Sequence, residues 1–240
     1  MLIEWTIILL GAFLTAFVVG AAGFGDALVA AAVWLHFMAP GEAAPLIVMT
    51  GLTIHVIAIV RLHKDLEFTH LAPFIGLGIL GVPIGTWLLA HIEAGPFRFS
   101  VGALLVVYGA GLLAMRHPPV LKAGGKVLDA LVGGIGGVLG GLAGMSGAVP
   151  AVWCGLRGWS KSQARGVSQP YILVMHVFSL IAMWWAGLVT VETGMRFLWG
   201  LPAILVGIGA GIALYRRLNE QLFRKLVLAM LAASGLTLII

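Results

Sequence analysis

Charge is what this 240-residue sequence has least of. Asp, Glu, Lys and Arg make up 10% of it, against 61% for the hydrophobic residues. A water-soluble domain typically carries about 25% charge and 45–50% apolar residues. A soluble globule is therefore excluded, and the same balance excludes disorder. Only a bilayer covers so much apolar surface, which predicts an all-α, polytopic transmembrane protein in contact with lipid. Cysteine is nearly absent, and the lone Cys154 has no partner for an internal disulfide. No glycine-rich Walker loop occurs, so direct ATP hydrolysis lacks support. The His and Met residues are scattered without ligand spacing, and neither a metal nor a cofactor is expected. The start, Met1-Leu-Ile-Glu-Trp, lacks the basic segment of a secretory signal peptide.

What charge there is falls in clusters. Between the clusters run apolar stretches at 5–38, 43–60, 71–90, 97–115, 127–156, 166–191, 197–215 and 226–240. A helical crossing needs about 20 residues, so 5–38 and 127–156 are too long for one crossing. Glycines interrupt both: Gly20-Ala-Ala-Gly-Phe-Gly in the first, Gly140-Gly-Leu-Ala-Gly-Met-Ser-Gly in the second. Each reads as two segments meeting at a break, re-entrant or as two short crossings, and either way the chain returns to its starting side. That gives about ten membrane segments, four of them short half-helices.

This count places Arg61, Lys64, Arg116, Lys122, Lys126, Arg157, Lys161, Arg165, Arg216, Arg217, Arg224 and Lys225 on one side, twelve of the 14 basic residues. Only Arg98 and Arg196 remain on the other. The positive-inside rule then puts the twelve in the cytoplasm and both termini outside a bacterial inner membrane. The net charge of +5 has the same origin, and no nucleic-acid partner is implied. The sequence does not fix oligomeric state; a homodimer is compatible with it.

The two halves repeat. A shift of 121 aligns Gly20-Ala-Ala-Gly-Phe-Gly-Asp-Ala with Gly141-Leu-Ala-Gly-Met-Ser-Gly-Ala and sets His55 on His176. With five more residues inserted, Gly81-Val-Pro-Ile-Gly falls on Gly207-Ile-Gly-Ala-Gly and Phe97-Arg98 on Phe223-Arg224. Within a single domain over 1–240, repeat 1 covers 1–118, a cytoplasmic linker 119–126, and repeat 2 covers 127–240. The loop after the first broken stretch lies outside and its counterpart inside, so the repeats are inverted. Inverted repeats with broken helices are a signature of secondary transporters.

At these positions the sequence resembles the sulfite exporter TauE/SafE family of membrane transporters. The second half carries the likeness in Gly140-Gly-Leu-Ala-Gly-Met-Ser-Gly-Ala-Val-Pro150 and Gly158-Trp-Ser-Lys-Ser-Gln-Ala-Arg-Gly-Val-Ser168. The first half keeps the break, but an Asp follows it and no proline comes before Pro40. The resemblance implies a carrier of sulfite, sulfonates or related small anions rather than an enzyme.

The candidate site residues follow from the breaks. Gly23, Gly25, Gly144 and Gly147 let backbone approach an anion, and a half-helix N-terminus offers free N–H groups to it. Close helix packing is the competing use of such glycines. Asp26 is the one acid well inside an apolar run, a functional position by default and a candidate for proton coupling; its competing use is as a helix N-cap. His55 and His176 sit at equivalent repeat positions and suit anion binding or proton relay. Thr50, Thr53, Ser168 and Gln169 precede these histidines as neutral donors, although Ser and Thr also bond their own helix backbone.

The rival reading is an intramembrane serine hydrolase. Gly144-Met-Ser146-Gly147 matches a Gly-x-Ser-Gly motif, with His176 as the base. Against it, Ser146 aligns with Gly25, and a protease has no evident use for an inverted duplication. The expectation is a carrier that works by alternating access around the paired breaks 20–26 and 141–147, with protons as the candidate coupling ion.

Overall fold

A computed structural model describes residues 2–22, 25–62, 68–115, 121, 125–215 and 220–240. Ten helices and no strand occur among them. They are α1 (Leu2–Ala22), α2 (Asp26–Trp34), α3 (Pro40–Leu62), α4 (Phe68–His91), α5 (Ala94–Ala114), α6 (Gly125–Ala143), α7 (Ala148–Leu156), α8 (Lys161–Trp185), α9 (Val191–Tyr215) and α10 (Glu220–Ile239). Seven of these are long and apolar enough to cross a membrane: α1, α3, α4, α5, α6, α8 and α9. The apolar part of α10, Lys225–Ile239, is shorter. Large apolar side chains face outward in numbers no soluble protein carries, with Leu80 65% and Trp185 84% exposed. They are the lipid-facing surface of the bundle.

Only α2 and α7 are short, nine residues each. At 1.5 Å per residue each spans about 13 Å, less than half of a bilayer core of about 30 Å. The four half-helices expected from the sequence reduce to these two. Gly20 lies within α1, and Gly140 and Gly141 within α6; α9 packs against Gly20, α4 against Gly141, and Ser146 of the turn after α6 against Gly140. Among the described residues, α2 starts after Gly25 and α7 after the turn at 144–147. Glycine content overstated the breaks because glycine in a membrane bundle also serves close packing.

That packing is explicit. A Cβ added at Gly133, Gly137 or Gly141 of α6 would meet backbone at Phe74, Gly78 or Val82 of α4, and one at Gly85 would meet Val138. The numbers rise together, so α4 and α6 run parallel. Gly207 and Gly211 of α9 lie likewise against Phe13 and Phe17 of α1. α5 and α10 are antiparallel, with Gly102 against Gly235 and Gly109 against Leu228. α3 and α8 pack on each other, α8 also on α4 and α3 also on α9. The contacts of α2 with α5 and α10 have no counterpart of similar extent on α7.

The short helices fold back along the long ones that precede them. Trp34 Nε1 at the end of α2 donates to the Ile7 carbonyl near the start of α1 at 3.3 Å. Trp153 Nε1 on α7 donates to Asp129 Oδ1 near the start of α6 at 2.7 Å. Both broken stretches therefore return the chain to the end it left.

The charged ends gather as the loop count requires. At one end, Arg196 reaches Glu4 (2.8 Å), Glu42 (2.6 Å) and Glu192 (2.7 Å). There too, Arg98 donates to the Met38 carbonyl, and His36 meets Thr237. At the opposite end, Leu121 N donates to the Leu156 carbonyl, and Arg157 lies 4.0 Å from Asp129 and over Trp159. Lys64, Arg116, Lys122, Arg216 and Arg217 lie outside the described residues. Helices overrun the apolar stretches: α9 begins at Val191, ahead of the stretch 197–215, and takes in Arg196, because charge marks where the bilayer ends and not where the helix does.

Gly137→Ala places a Cβ on the Gly78 backbone, and no side-chain rotation relieves it. Over-packing of this kind costs about 1–3 kcal/mol. The purified variant is expected to melt several degrees below the wild type; Gly111→Ala, which meets nothing within 4 Å, is expected to match it.

Candidate functional site

The break before α2 leaves Gly25 as its N-cap, in the left-handed conformation at φ 89° and without a side-chain cap bond. Asp26 is thus the first helical residue and not the cap. Its carboxylate sits at the positive end of the α2 dipole, where an anion is stabilised. The side chain is only 4% exposed, so its charge needs a partner inside the bundle.

It has two. His55 Nε2 of α3 lies 3.1 Å from Asp26 Oδ2, and His176 Nε2 of α8 lies 3.5 Å from the same oxygen. The ring centroids are 5.6 Å apart. On its far side His55 Nδ1 lies 2.6 Å from Gln169 Oε1. An amide oxygen only accepts, so Nδ1 donates there, and Nε2 is the nitrogen turned to Asp26; a proton on Nε2 as well would make His55 an imidazolium paired with the carboxylate. His176 Nδ1 lies 2.8 Å from the Ile172 carbonyl and must donate to it. His176 Nε2 has no hydrogen-bond partner among the described residues. His55, His176, Gln169 and Ser146 are all 1% exposed or less. The consecutive helices α2 and α3 and the distant α8 thus meet at one carboxylate oxygen.

The same assignment bears on the hydrolase reading. Ser146 Oγ lies 3.5 Å from His176 Nδ1, but that nitrogen already carries a proton for Ile172 and cannot take one from the hydroxyl. The dyad lacks its base.

Beside the cluster lies a small recess, closed down to about the size of a water molecule, lined by Gly25, Asp26, Met145, Gly147, Ser168 and Tyr108, among others. The N-terminal ends of α2 and α7 both border it through Gly25, Asp26, Gly147 and Ala148. Peptide N–H groups and helix dipoles there favour an anion, and Ser168 adds a hydroxyl at the same wall.

Of the residues expected from the sequence, the structure brings together Asp26, His55, Gln169, Ser146 and His176, and sets Gly25, Gly147 and Ser168 around the adjoining recess. Gln169 contacts His55 rather than standing as an independent donor. Thr53 back-bonds the Met49 carbonyl of its own helix at 3.0 Å, the competing use of a helical threonine. Thr50 is buried with no hydrogen bond to its Oγ1 among the described residues. Gly144 (φ 70°) ends α6 and admits Ile47 and Val48 of α3, so its work is packing. Gly23 lies outside the described residues.

Gly51 escaped the sequence reading. A Cβ there would stand 2.5 Å from His176 Nε2 and 2.7 Å from Asp26 Oδ2. Only glycine lets α3 approach that closely. Its signal was present, since Gly51 stands four residues before His55 and so shares its helix face. Tyr108 and Met145, also missed, are ordinary apolar-run residues with no signal of their own.

Seven long apolar helices around a buried ionisable cluster define a multi-pass integral membrane protein. Residues 8–238 match the family model described as sulfite exporter TauE/SafE, and the chain belongs to that family of membrane transporters. No curated protein and no solved structure matches it.

Gly51→Ala is expected to separate the Asp26 and His176 side chains while leaving the helices paired. The unliganded melting temperature should fall by several degrees, as for other over-packing of about 1–3 kcal/mol, and ligand-driven stabilisation should be lost as well; retention of full ligand response would contradict the assignment of Gly51 to the site.

Proposed function

We propose that the protein is a secondary carrier of a small anion, a sulfite or organosulfonate, which binds in the recess at the N-terminal ends of α2 and α7. The observation that carries this reading is the position of that recess. It adjoins the Asp26–His55–His176 cluster inside a bundle whose outer surface is apolar. The family supplies the substrate class. The chemistry agrees with it, because neutral hydroxyl and N–H donors at helix ends suit a tetrahedral or pyramidal oxyanion.

The carrier is built from two inverted repeats, 1–118 and 127–240, joined by a linker at 119–126. Several observations support this division. Helices α1–α5 and α6–α10 follow the same length order, long, short, long, long, long. Exchanging the two sets turns the α1–α9 pair into α6–α4 and the α3–α9 pair into α8–α4, and returns α5–α10 and α3–α8 to themselves. The indole bonds of Trp34 and Trp153 tie each short helix to its own long one, at opposite ends of the bundle. Alternating access would come from movement of the helix pairs α1–α9 and α4–α6, each of which joins one repeat to the other, around the fixed site. The basic end faces the cytoplasm of a bacterial inner membrane, and both termini lie outside.

In this reading Asp26, His55 and His176 manage charge and protons as the anion passes. Ser146 has a packing role, since Gly140 of α6 leaves room for its Cβ. A hydrolase would make Ser146 indispensable.

Two measurements test the reading. A ligand that binds only the folded state raises apparent stability by mass action, about 2.7 kcal/mol at a hundredfold excess over Kd. Sulfite, thiosulfate, taurine, sulfoacetate, acetate and phosphate, tested by thermal unfolding of the purified protein, should therefore divide. At least one sulfur oxyanion or sulfonate is expected to raise the melting temperature by several degrees, with acetate ineffective; no shift with any sulfur anion counts against the proposal. Ser146→Ala is expected to keep the larger part of that ligand response and of any transport flux.

A further inference from the structure

The three ionisable side chains of the cluster do not hold equivalent protons, and hydrogen-bond geometry separates them. His55 is closed on both sides, by Gln169 Oε1 at 2.6 Å and Asp26 Oδ2 at 3.1 Å. His176 is closed only at Nδ1, by the Ile172 carbonyl. Its Nε2, buried and without a hydrogen-bond partner among the described residues, faces the same Asp26 oxygen from 3.5 Å. With His55 charged, Asp26 charged and His176 neutral, the cluster carries no net charge. His176 Nε2 then stands 3.5 Å from a carboxylate oxygen with no proton between them, and one added proton supplies the N–H for a second N–H···O bond as the two close together.

We infer that anion binding in the recess is coupled to the uptake of one proton at His176 Nε2, while His55 and Asp26 remain a permanent pair positioned by Gln169. This inference rests on the carrier reading above. An anion entering beside Asp26 meets a carboxylate whose charge only His55 offsets. Protonation of His176 draws Oδ2 into a second bond and gives the cluster a net charge of +1, which the anion neutralises. Neither charge is stable without the other in a low-dielectric interior, so the two are taken up together.

Few other groups compete for this role. Asp26 of α2 and His55 of α3 are the titratable side chains that face His176. From the segment between α6 and α7, Ser146 presents a neutral hydroxyl at 3.5 Å. The ionisable residues of α4 and α9 (His70, His91, Glu192 and Arg196) stand near helix ends. On α6 Lys126 lies in the first turn, and Asp129 is engaged by the Trp153 indole and Arg157. Gly51 holds the backbone of α3 against the unfilled nitrogen, and no side chain of that helix can replace the proton.

The test is isothermal titration of the full-length purified protein with methanesulfonate, whose charge is constant between about pH 5 and 8. Two cationic amine buffers of different ionisation enthalpy, Bis-Tris and Tris, avoid the sulfonate buffers that would compete. The inference expects uptake of about one proton per anion, with affinity weakening about tenfold per pH unit above neutrality. His176→Gln is expected to bind with no proton uptake and a flat pH profile. Binding by the wild type without proton uptake overturns the inference and leaves the carrier reading intact. So does uptake that persists in His176→Gln; if that variant does not fold, the wild-type proton count decides. Absence of binding by methanesulfonate, thiosulfate and sulfite alike overturns both.

Discussion

A single carboxylate oxygen, Asp26 Oδ2, is the point on which the bundle's interior depends. A charge in the middle of an apolar assembly costs at least a few kcal/mol unless it is met by counter-charge and hydrogen bonds. Here the compensation comes from two places, the N-terminal end of α2 and the ring of His55 on α3, while the ring of His176 on α8 stands 3.5 Å from the same oxygen. Each demand shapes the chain around it. α2 must begin at mid-depth, so the first broken stretch places its short helix there. α3 must come within a glycine's reach of both the carboxylate and the second ring, so residue 51 has no side chain. The rings must present Nε2 inward, so Gln169 and the Ile172 carbonyl hold Nδ1 on the outside.

Around this point the bundle is assembled by backbone contact rather than by large side chains. Lipid is as apolar as a leucine-rich core, so burial alone drives helices together weakly in a bilayer, and close van der Waals packing takes its place. The parallel pairs α1–α9 and α4–α6 are both built on glycine stripes. Each pair crosses the proposed repeat boundary, joining a helix of one half to a helix of the other. In an alternating-access carrier such pairs would move as units while α3 and α8, which carry the histidines, report the change to Asp26. The ion-pair group at Arg196 ties α1, α3 and α9 at the end away from the basic loops.

Much of this was legible in the sequence, and the parts that were not share a physical cause. Topology was readable because charges cannot enter the bilayer, so Arg98, Arg196 and the basic loops sort themselves by side. Asp26, His55 and His176 stood out because ionisable residues in apolar runs are few and the repeat set the two histidines in register. The match between halves also marked where they differ, for Asp26 aligns with Gly147 and the cluster has only one carboxylate. Extent was harder to read. Glycine serves breaks and packing alike, so Gly20, Gly140 and Gly141 were assigned to breaks although they lie inside helices. Gly51 was passed over among many glycines, since what makes it special is the approach of two distant helices. Gln169 was recognised as polar and near His176, but its bond reaches His55 on another helix, a tertiary relation that no spacing along the chain encodes.

The central claim is that Asp26 links anion movement to protons. Reconstituted protein should be assayed for flux of a sulfonate or sulfite with and without an imposed pH gradient, for the wild type and for Asp26→Asn. An amide keeps the side chain's size and removes the charge that pairs with both histidines. The account predicts wild-type flux that responds to the gradient, and a residual flux in the variant that does not. A variant whose flux follows the pH gradient as the wild type does would contradict it.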